Sequence, residues 1–505
     1  MPHEPPSDYP SFSPQEIVSI MSGLMLAMFL ASLDQTIVAT SLSSIGRDLN
    51  GWRSLAWVVS AYLVTSTTTT PIYGRLSDLY GRRPILLISI GLFVGSSVLC
   101  ALSGTMAQLI AARALQGVGG GGLRSVSQAV IADMIPPRER GRYQGYLSSV
   151  FATSNVLGPV LGGFFADYLS WHWIFWINLP LGLAAFILSN RNLAKLRRPQ
   201  HHPKIDWLGA LLILASATPI LIGVANAERA GGWLSVDSFG PIAGGLMAIA
   251  ALILWERIAR EPMLPLRLFR NSIFSVASII SFLVMMVMIG LIVLVPMDYQ
   301  LGAGLSANAA GIRMIPMTIG TVIGSFISGQ LITYTGRYRI FPIIGTSTGM
   351  IACAVIAWAG LGHSLAFDIL ATGILGMSFG GQLAPMTVTV QNALHSHDNG
   401  IGVSCLMFFR LMGGAFGVAL LSTILIARLA AGALAIPGHE ALGPNPGIAL
   451  FHLDEPGLHL TPALLAALGG AVERAFAHVF IVAAVILAFA VIGALRLKEV
   501  PLRGR

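Results

Sequence analysis

Three ionisable side chains interrupt long apolar stretches in this chain of 505 residues. Asp34 lies within LASLDQTIVATSL, Arg113 within AARALQG and Arg410 within FFRLMGG. A charge in the middle of a membrane-spanning helix costs about 3 kcal/mol on insertion scales, so each residue is a candidate functional site. A carboxylate that alternates between pairing with a buried cation and binding a proton can exchange that proton with one side of a membrane at a time.

The acid and the first arginine are predicted to act together. We expect Asp34 and Arg113 to neutralise each other across a helix interface, and protonation of Asp34 would break that pair. The alternative is a static ion pair that only holds the helices together. Arg124 lies in the same apolar segment as Arg113, three turns further on, and is predicted to line a cavity or to approach the inner interface. Gln116 and Arg410 are the other candidates for a cavity lining.

The glycine-rich stretch ARALQGVGGGGLRS contains Gly117-x-Gly119-x-x-Gly122, the spacing of a dinucleotide-binding loop. That spacing indicates phosphate binding only after a strand and before a helix, with an acid about 20 residues later. Here the stretch lies inside an apolar helix and no such acid follows. We therefore predict no nucleotide cofactor, and expect the glycines to let this helix pack against, and slide past, a neighbour.

Composition places the chain in a lipid bilayer. Hydrophobic residues make up 55% of it, charged residues only 10%, and the mean hydropathy is +0.76. The net charge of +8 comes from short basic clusters without interleaved aromatic residues, so no nucleic-acid partner is predicted. Cys100, Cys353 and Cys405 lack metal-ligand spacing and are predicted to be packed hydrophobes, so no metal is expected.

The chain is predicted to be an all-α integral membrane protein with fourteen spans, because helices satisfy their backbone hydrogen bonds in lipid and need about 20 residues to cross it. The expected spans are 17–40, 54–76, 84–103, 107–134, 142–168, 173–191, 206–226, 237–258, 272–296, 308–333, 340–361, 366–390, 400–427 and 470–495. Arginine and lysine concentrate in the even-numbered connections, which predicts that both termini are cytoplasmic.

Those spans define five regions. They are an N-terminal tail 1–16, a six-helix bundle 17–191, a linker 192–271 with two further spans, a second six-helix bundle 272–495, and a tail 496–505. The N-terminal tail has no basic region or cleavage site, so it is not expected to be a signal peptide. His439, His452 and His459 in the outer loop 428–469 match no metal-ligand pattern, and a solvated loop is expected there.

A repeat supports the division into two related bundles. GRLSDLYGR at 74–82 recurs as GQLITYTGR at 329–337, each at the inner end of its span. Gly74 and Gly81 are expected to allow tight turns. Asp78, flanked by Arg75, Arg82 and Arg83, is expected to bond to a neighbouring helix end as a cytoplasmic gate. A basic loop that only sets topology is the alternative. Thr333 replaces Asp78 in the second copy, so an acid-dependent gate should be asymmetric.

The fifth span contains SNVLGPVLGGFFAD. Gly158, Gly162 and Gly163 are expected to thin one face of this helix, and Pro159 to interrupt its hydrogen bonds, which would make it bendable. Close packing without a mechanistic role is the alternative.

Together these segments resemble the major facilitator superfamily, and within it the fourteen-span drug:proton antiporters. The resemblance rests on LDQTIVATSL, GRLSDLYGRR, RALQGVGGGG, SNVLGPVLGG and WHWIFWINLPLG, with weaker similarity in GLSANAAGIRMIP and FFRLMGGAFGVAL. It implies a six-plus-two-plus-six fold, alternating access, and multidrug efflux of amphipathic compounds in exchange for protons. Asp34 and Arg113 would carry coupling, Asp78 and Arg82 would gate, and Gly158-Pro159 would mark antiport. Ser154 departs from the family pattern of the fifth span, and Arg124 and Ser125 depart from that of the fourth. The additional cation at Arg124 favours neutral or anionic substrates.

Other function classes have less support. The chain has no metalloprotease, nucleophile-elbow or P-loop motif, so an enzyme is not predicted, and it has no selectivity-filter repeat that would indicate a channel. The remaining alternative is a facilitator-fold carrier of one metabolite or siderophore. The expected partners are a small-molecule substrate, protons and the lipid of a bacterial inner or plasma membrane, with the monomer as the functional unit.

Overall fold

Long apolar runs fold as helices, and a computed structural model of the chain has only helices as regular structure in the part that it describes. That part comprises residues 13–49, 54–195, 206–229, 233–259, 262–362, 364–395, 398–436 and 462–502. The first seven long helices are α1 Pro14–Thr40, α2 Leu55–Tyr80, α3 Arg82–Ala101, α4 Met106–Met134, α5 Pro137–Tyr168, α6 Asn178–Asn192 and α7 Trp207–Arg229. The others are α8 Val236–Glu256, α9 Ser272–Leu301, α10 Ile315–Thr335, α11 Ile340–Ala359, α12 Leu365–Ala393, α13 Asn399–Leu434 and α14 Pro462–Arg496.

Local sequence signals determine several helix ends. Ser13 and Glu16 form a capping box at the start of α1, since each side chain accepts a hydrogen bond from the other's backbone amide. Thr105 caps α4 and Asn271 caps α9, since their side-chain oxygens accept hydrogen bonds from backbone amides of the first turn. Gly81 separates α2 from α3 with φ of 94°, a backbone conformation that glycine adopts without strain.

A helix lies at every predicted span, although some boundaries differ. Short helices, Trp173–Trp176 and Ala307–Arg313, precede α6 and α10 within their predicted spans. The largest errors flank the outer loop, where α13 continues to Leu434 and α14 begins at Pro462. The segments ARLAAGAL and PALLAALGG are rich in alanine and leucine, which favour helix beyond the apolar stretch itself.

Eleven helical segments among the described residues are long and apolar enough to cross a membrane, so the chain is a multi-pass membrane protein. The other three predicted spans correspond to α2, α4 and α5, whose helices have 26, 29 and 32 residues. These helices contain more glycine, serine, threonine and arginine, which lowers their hydropathy. The full number of fourteen crossings stays a prediction.

Buried apolar side chains form separate clusters in the two halves of the chain. One large cluster draws its buried members from residues 20–193, and another from residues 268–497. The helices α7 and α8 pack against each other, and a smaller cluster joins both to Val64 of α2 and to Met412 and Ala419 of α13. The inserted pair therefore packs beside the junction of the two halves.

Most of the basic connections meet at one end of the molecule, which we call the basic end. It comprises Gly81, residues 135–136, 193–195 and 336–339, and the starts of α9 and α13. Arg82 contacts Asp133 there, and Arg267 contacts Asp398. Several predicted features lie outside the described residues, namely Arg197, Arg198, Lys204 and Arg260 and the outer-loop histidines His439, His452 and His459.

Candidate functional site

Asp34 of α1 and Arg113 of α4 form an ion pair inside the first half of the molecule. Nη1 of Arg113 lies 2.6 Å from Oδ2 of Asp34. The exposed fraction of the side chain is 1% for Arg113 and 0% for Asp34, so neither charge is solvated. The predicted contact between these residues is therefore present. A buried pair of this kind is strongly destabilised when one partner loses its charge.

Two amides complete the coordination of the carboxylate. Nε2 of Gln116 and Nδ2 of Asn178 donate to Oδ1 of Asp34 over 3.0 Å and 3.1 Å. Arg113 also donates to Oε1 of Gln116, at 2.6 Å. Gln116 is wholly buried in this network, and the cavity lining expected for it stays a prediction.

On its other side, Arg113 contacts groups that carry no formal charge. Its Nε donates to the backbone oxygen of Val58 over 3.2 Å, and its guanidinium carbon lies 4.4 Å from the centre of the Tyr62 ring. A ring face attracts a cation, but more weakly than a carboxylate does. Protonation of Asp34 would leave Arg113 with only these neutral partners and Gln116, which gives the pair two electrostatically distinct states.

The network lies far from the basic end. Arg113 is seven residues after the start of α4 at Met106 and twenty before Asp133. At 1.5 Å per residue these separations are about 11 Å and about 30 Å. Asp34 is likewise six residues before the end of α1 at Thr40. The network therefore lies nearer to the end of the molecule opposite the basic end.

At the basic end, Asp78 links the two halves of the molecule. Its Oδ2 accepts a hydrogen bond from the backbone N–H of Ile401 over 2.8 Å, at the beginning of α13. The first amides of a helix are unpaired and carry partial positive charge, so a carboxylate is stabilised there. Nη1 of Arg82 lies 2.5 Å from Oδ1 of Asp78, and Nε of Arg82 lies 2.7 Å from Asp133. The predicted bond from Asp78 to a helix end is confirmed.

Two other residues predicted for the gate have different positions. Gly74 was expected at a turn, but it lies inside α2, where a Cβ would overlap Ser404 of α13. Its absent side chain therefore permits a close contact between the halves. Arg83 does not reach the gate, because its Nη2 donates to Asn190 within the first half over 2.7 Å.

The second copy of the repeated segment also contacts the opposite half, but through glycine. Gly329 of α10 packs on Gly141 of α5, and a Cβ on either would overlap the backbone oxygen of the other. Thr333, which replaces Asp78, donates its hydroxyl proton to the backbone oxygen of Gly329 over 3.1 Å. The expected asymmetry between the two copies is therefore present in their contacts.

The glycine-rich stretch of α4 packs against its neighbours as expected. A Cβ at Gly117 or Gly121 would overlap the backbone or side chains of α2, and one at Gly119 would overlap the backbone of Phe93 in α3. Thr65 of α2 donates to the backbone oxygen of Ala114 over 2.7 Å. These contacts fit helix packing and no phosphate-binding role.

The glycines of the fifth span do not share one role. A Cβ at Gly158 would overlap Thr36 of α1, and the backbone oxygen of Gly162 accepts a hydrogen bond from Ser41 over 3.1 Å. Gly163 has open space around its Cβ position, so the expectation of close packing there is wrong. The helix α5 continues through position 159, and the side chain of Pro159 lies outside the described residues.

Arg124 and Arg410 are both buried, each with 7% of its surface exposed. Arg124 donates to the side chain of Gln35 and to the backbone oxygen of Ala31, both on α1. Arg410 lines a small cavity between α9, α12 and α13. The predicted roles of Arg124 and Arg410 in a cavity for substrate stay predictions.

Sequence reasoning missed several site residues. Asn178 follows WHWIFWI, and the only signal was an amide inside an apolar run. Asp298 and Asp368 are buried near span ends, with exposed fractions of 5% and 0%. Asp368 pairs with Arg313 at 2.6 Å.

Known proteins resemble this chain over most of its length. A sequence model of the Major Facilitator Superfamily matches residues 24–418. An uncharacterised MFS-type transporter of Mycobacterium tuberculosis is 34% identical, over 98% of this chain and 71% of that protein. The multidrug transporter protein MdtP of Bacillus subtilis is 34% identical over 81% of this chain and 75% of its own length. An efflux pump of Gibberella fujikuroi is 32% identical over 82% of this chain and 76% of its own length.

Solved structures agree on the fold. The human organic anion transporter MFSD10 has a TM-score of 0.61 at 16% identity, and the match covers 94% of this chain and all of that one. The proton:xylose symporter XylE has a TM-score of 0.57 at 14% identity, covering 95% and 96%. At such identities the likeness concerns the fold alone.

Proposed function

Since the chain belongs to the major facilitator superfamily and is therefore a membrane transporter, we propose that it exports amphipathic small molecules in exchange for protons. Relatives named as a multidrug transporter and as an efflux pump support the direction and breadth of this proposal. The superfamily consists of transporters rather than enzymes, and the substrate is expected to leave chemically unchanged.

The observation that carries the proposal is the buried network of Asp34, Arg113, Gln116 and Asn178. Asp34 is the carboxyl that gains and loses the proton. When it is ionised, Arg113 and both amides stabilise it. When it is protonated, Arg113 lacks a counter-charge in a region without solvent, which favours a rearrangement of α1 against α4.

The contacts between the halves support alternating access. Asp78 with Ile401, and Gly141 with Gly329, join the halves at the basic end. In our proposal this is the cytoplasmic end, and the described arrangement is closed on that side. A proton then reaches Asp34 from outside, the basic end opens, and the proton leaves to the cytoplasm as substrate is taken up.

The same proposal includes the topology. Fourteen helices cross a bacterial inner or plasma membrane as six, two and six, with both termini in the cytoplasm and the monomer as the transport unit. The bias of arginine towards the basic end supports this orientation.

An export assay tests this function. The chain is expressed in a host that lacks its own pumps, and efflux of a panel of preloaded cationic, neutral and anionic fluorescent amphiphiles is followed with and without a proton uncoupler. We expect export of several structurally different compounds, and loss of that export when the uncoupler is added. Export that survives the uncoupler would contradict proton coupling. Transport of a single metabolite or siderophore, with no effect on the panel, would favour a dedicated carrier.

A further inference from the structure

Arg124 is a buried cation that contacts no carboxylate in the described residues. Its Nη2 donates to the backbone oxygen of Ala31 over 3.3 Å and to the side-chain oxygen of Gln35, while its Nε is buried without a hydrogen bond. Arg82, Arg113 and Arg313 are also largely buried, and each has a carboxylate within 2.7 Å. Arg124 therefore lacks the carboxylate partner that these three arginines have.

Arg410, in the other half of the molecule, is also a buried cation that contacts no carboxylate among the described residues. Its Nη1 donates to Oγ1 of Thr387 over 3.2 Å, and its Nη2 to the backbone oxygen of Leu383 over 2.9 Å. Ser281 and Gln382 line the cavity beside it, and Oγ of the first and Oε1 of the second are buried without hydrogen bonds. A buried cation without a counter-charge, next to two unpaired polar side chains, is suited to binding an anion.

The two arginines lie at similar depths on helices that meet across the halves. Arg124 is nine residues before Asp133, which bonds Arg82 at the basic end, and Arg410 is ten residues after Gly400, which packs on Asp78. Both are therefore about 14 Å to 15 Å from that end along their helices. The helices α4 and α13 contact each other directly.

From these positions we infer that the transported substrates are organic anions, and that Arg124 and Arg410 bind the substrate carboxylate between the two halves. A guanidinium offers several N–H donors in a fixed plane, which matches the two oxygens of a carboxylate. The apolar part of the substrate would pack on residues such as Met285 and Met386 beside Arg410. This inference rests on the proposed function, because it names the substrate class of the same transporter.

The anion site is separate from the proton site. Arg124 lies eleven residues after Arg113 on α4, about 16 Å along the helix axis. Loss of the proton from Asp34 and uptake of the anion therefore occur at different residues, and no direct competition for one carboxylate is required. When an anion is exported, one negative charge leaves the negative inside of the membrane. Export of a neutral compound in exchange for the same number of protons lacks this additional, favourable charge movement. At a membrane potential of 100 mV, this charge raises the substrate concentration ratio that the transporter can maintain about fiftyfold.

Binding of three matched probes to the purified, detergent-solubilised protein tests the inference. The probes are pyrenebutanoate, its primary amide and a pyrenyl quaternary ammonium of similar size, and binding is followed by pyrene fluorescence at fixed pH. The wild type is expected to bind the carboxylate about tenfold or more tightly than the amide, and the cation most weakly, as one charge-assisted hydrogen bond predicts. Arg124→Gln and Arg410→Gln should each remove most of that preference while amide binding stays constant.

The controls separate a lost anion contact from a lost fold. Unchanged amide binding and unchanged thermal unfolding show that a variant is folded, and Arg142→Gln, an exposed arginine on α5, should leave all three affinities unaltered. Arg→Lys at either position should keep part of the preference. Equal affinity of the wild type for all three probes would overturn the inference, as would an equal loss of carboxylate and amide binding in the glutamine variants.

Transport assays distinguish failure of this inference from failure of the proposed function. Proton-driven export of the amide and the cation, without carboxylate binding, would reject the anion site and leave proton-coupled efflux intact. Tight carboxylate binding without any proton-driven movement would reject the efflux function and leave the anion site intact.

Discussion

The loop after α2 and its repeat after α10 join the same two halves at the same end, but they do so by different means. In the first copy, Asp78 accepts a hydrogen bond from the start of α13 and pairs with Arg82. In the second copy, Thr333 occupies the equivalent position, and the nearby contact with the opposite half is the one between Gly329 and Gly141. One contact depends on charge and the other on shape.

The interior of the two halves differs in a related way. The first half holds Asp34 against Arg113, whereas Arg410 in the second half has no carboxylate partner among the described residues. The second half also holds buried acids, since Asp368 pairs with Arg313 and Asp298 is buried, but none of them lies on the repeated segment or beside Arg410. Under the proposed function, the acid that exchanges the proton is Asp34 of the first half.

The largest expected effect comes from removing the acid of the interior pair. In Asp34→Asn, the side chain can no longer exchange a proton, so proton-driven accumulation of substrate in inverted membrane vesicles should fall about a hundredfold or more, to background. Substrate binding and energy-independent exchange should persist. The measurement is uptake driven by an imposed pH gradient, compared with exchange at equal pH.

Asp237→Asn is the matched control, because Asp237 is exposed in the first turn of α8. It should transport as the wild type does. If Asp34→Asn accumulates substrate at the wild-type rate under a proton gradient, Asp34 has no role in coupling.

The contact between Gly141 and Gly329, which depends on shape, should be the next most sensitive to substitution. Gly141→Ala places a methyl group against the backbone oxygen of Gly329, so the basic end should not close fully and transport should fall about tenfold to a hundredfold. Spin labels on Arg191→Cys and Tyr334→Cys, exposed residues in opposite halves, should report a longer distance in this variant.

Gly163→Ala provides a control on the same helix, since its new methyl group meets open space. Transport and label distances should match those of the wild type. If Gly141→Ala behaves like this control, the glycine contact does not limit closure.

A smaller effect is expected at the charge-dependent contact. Asp78→Asn removes the ion pair with Arg82 but leaves an oxygen that can accept from Ile401, and Arg82 keeps Asp133. Transport should fall about tenfold, the order expected for one buried charge-assisted contact. Arg83→Gln should change transport less than about twofold, since Arg83 bonds only within the first half in the described structure.

The asymmetry itself can be tested in the same assay. Thr333→Asp in the Asp78→Asn background should not restore transport, because the carboxylate would lie at the second copy, away from the start of α13. Restoration would indicate that either copy can provide the acid, which would contradict the comparison.

A smaller effect still is expected at Asn178, one of the residues that sequence reasoning missed. Asn178→Ala removes one of the two amides that donate to Asp34 and leaves Gln116 and Arg113 in place. Proton-driven transport should fall about threefold to tenfold, in keeping with one hydrogen bond. Asn178→Asp should be far more harmful because it places a second carboxylate beside Asp34. Equal activity of the two variants would argue against Asn178 as a positioning residue for Asp34.

The sequence was sufficient to predict the helices, the pairing of Asp34 with Arg113 and the bond from Asp78 to a helix end. Long apolar runs, isolated charges and an acid in a basic loop are local signals, and lipid leaves them few alternative structures. The sequence was not sufficient for Gly74, Gln116 and Arg83. Their roles depend on which face of a helix meets which neighbour, and hydropathy carries little information about that.

The central claim is that Asp34 exchanges protons against substrate. Its most direct test is purified protein in liposomes with a trapped pH indicator, where a substrate gradient is imposed without any pH gradient or membrane potential. Our account predicts that wild-type protein moves protons in the direction opposite to the substrate, in proportion to substrate flux, and that Asp34→Asn moves none. Substrate flux without proton movement in the wild type, or unchanged proton movement in Asp34→Asn, would contradict it.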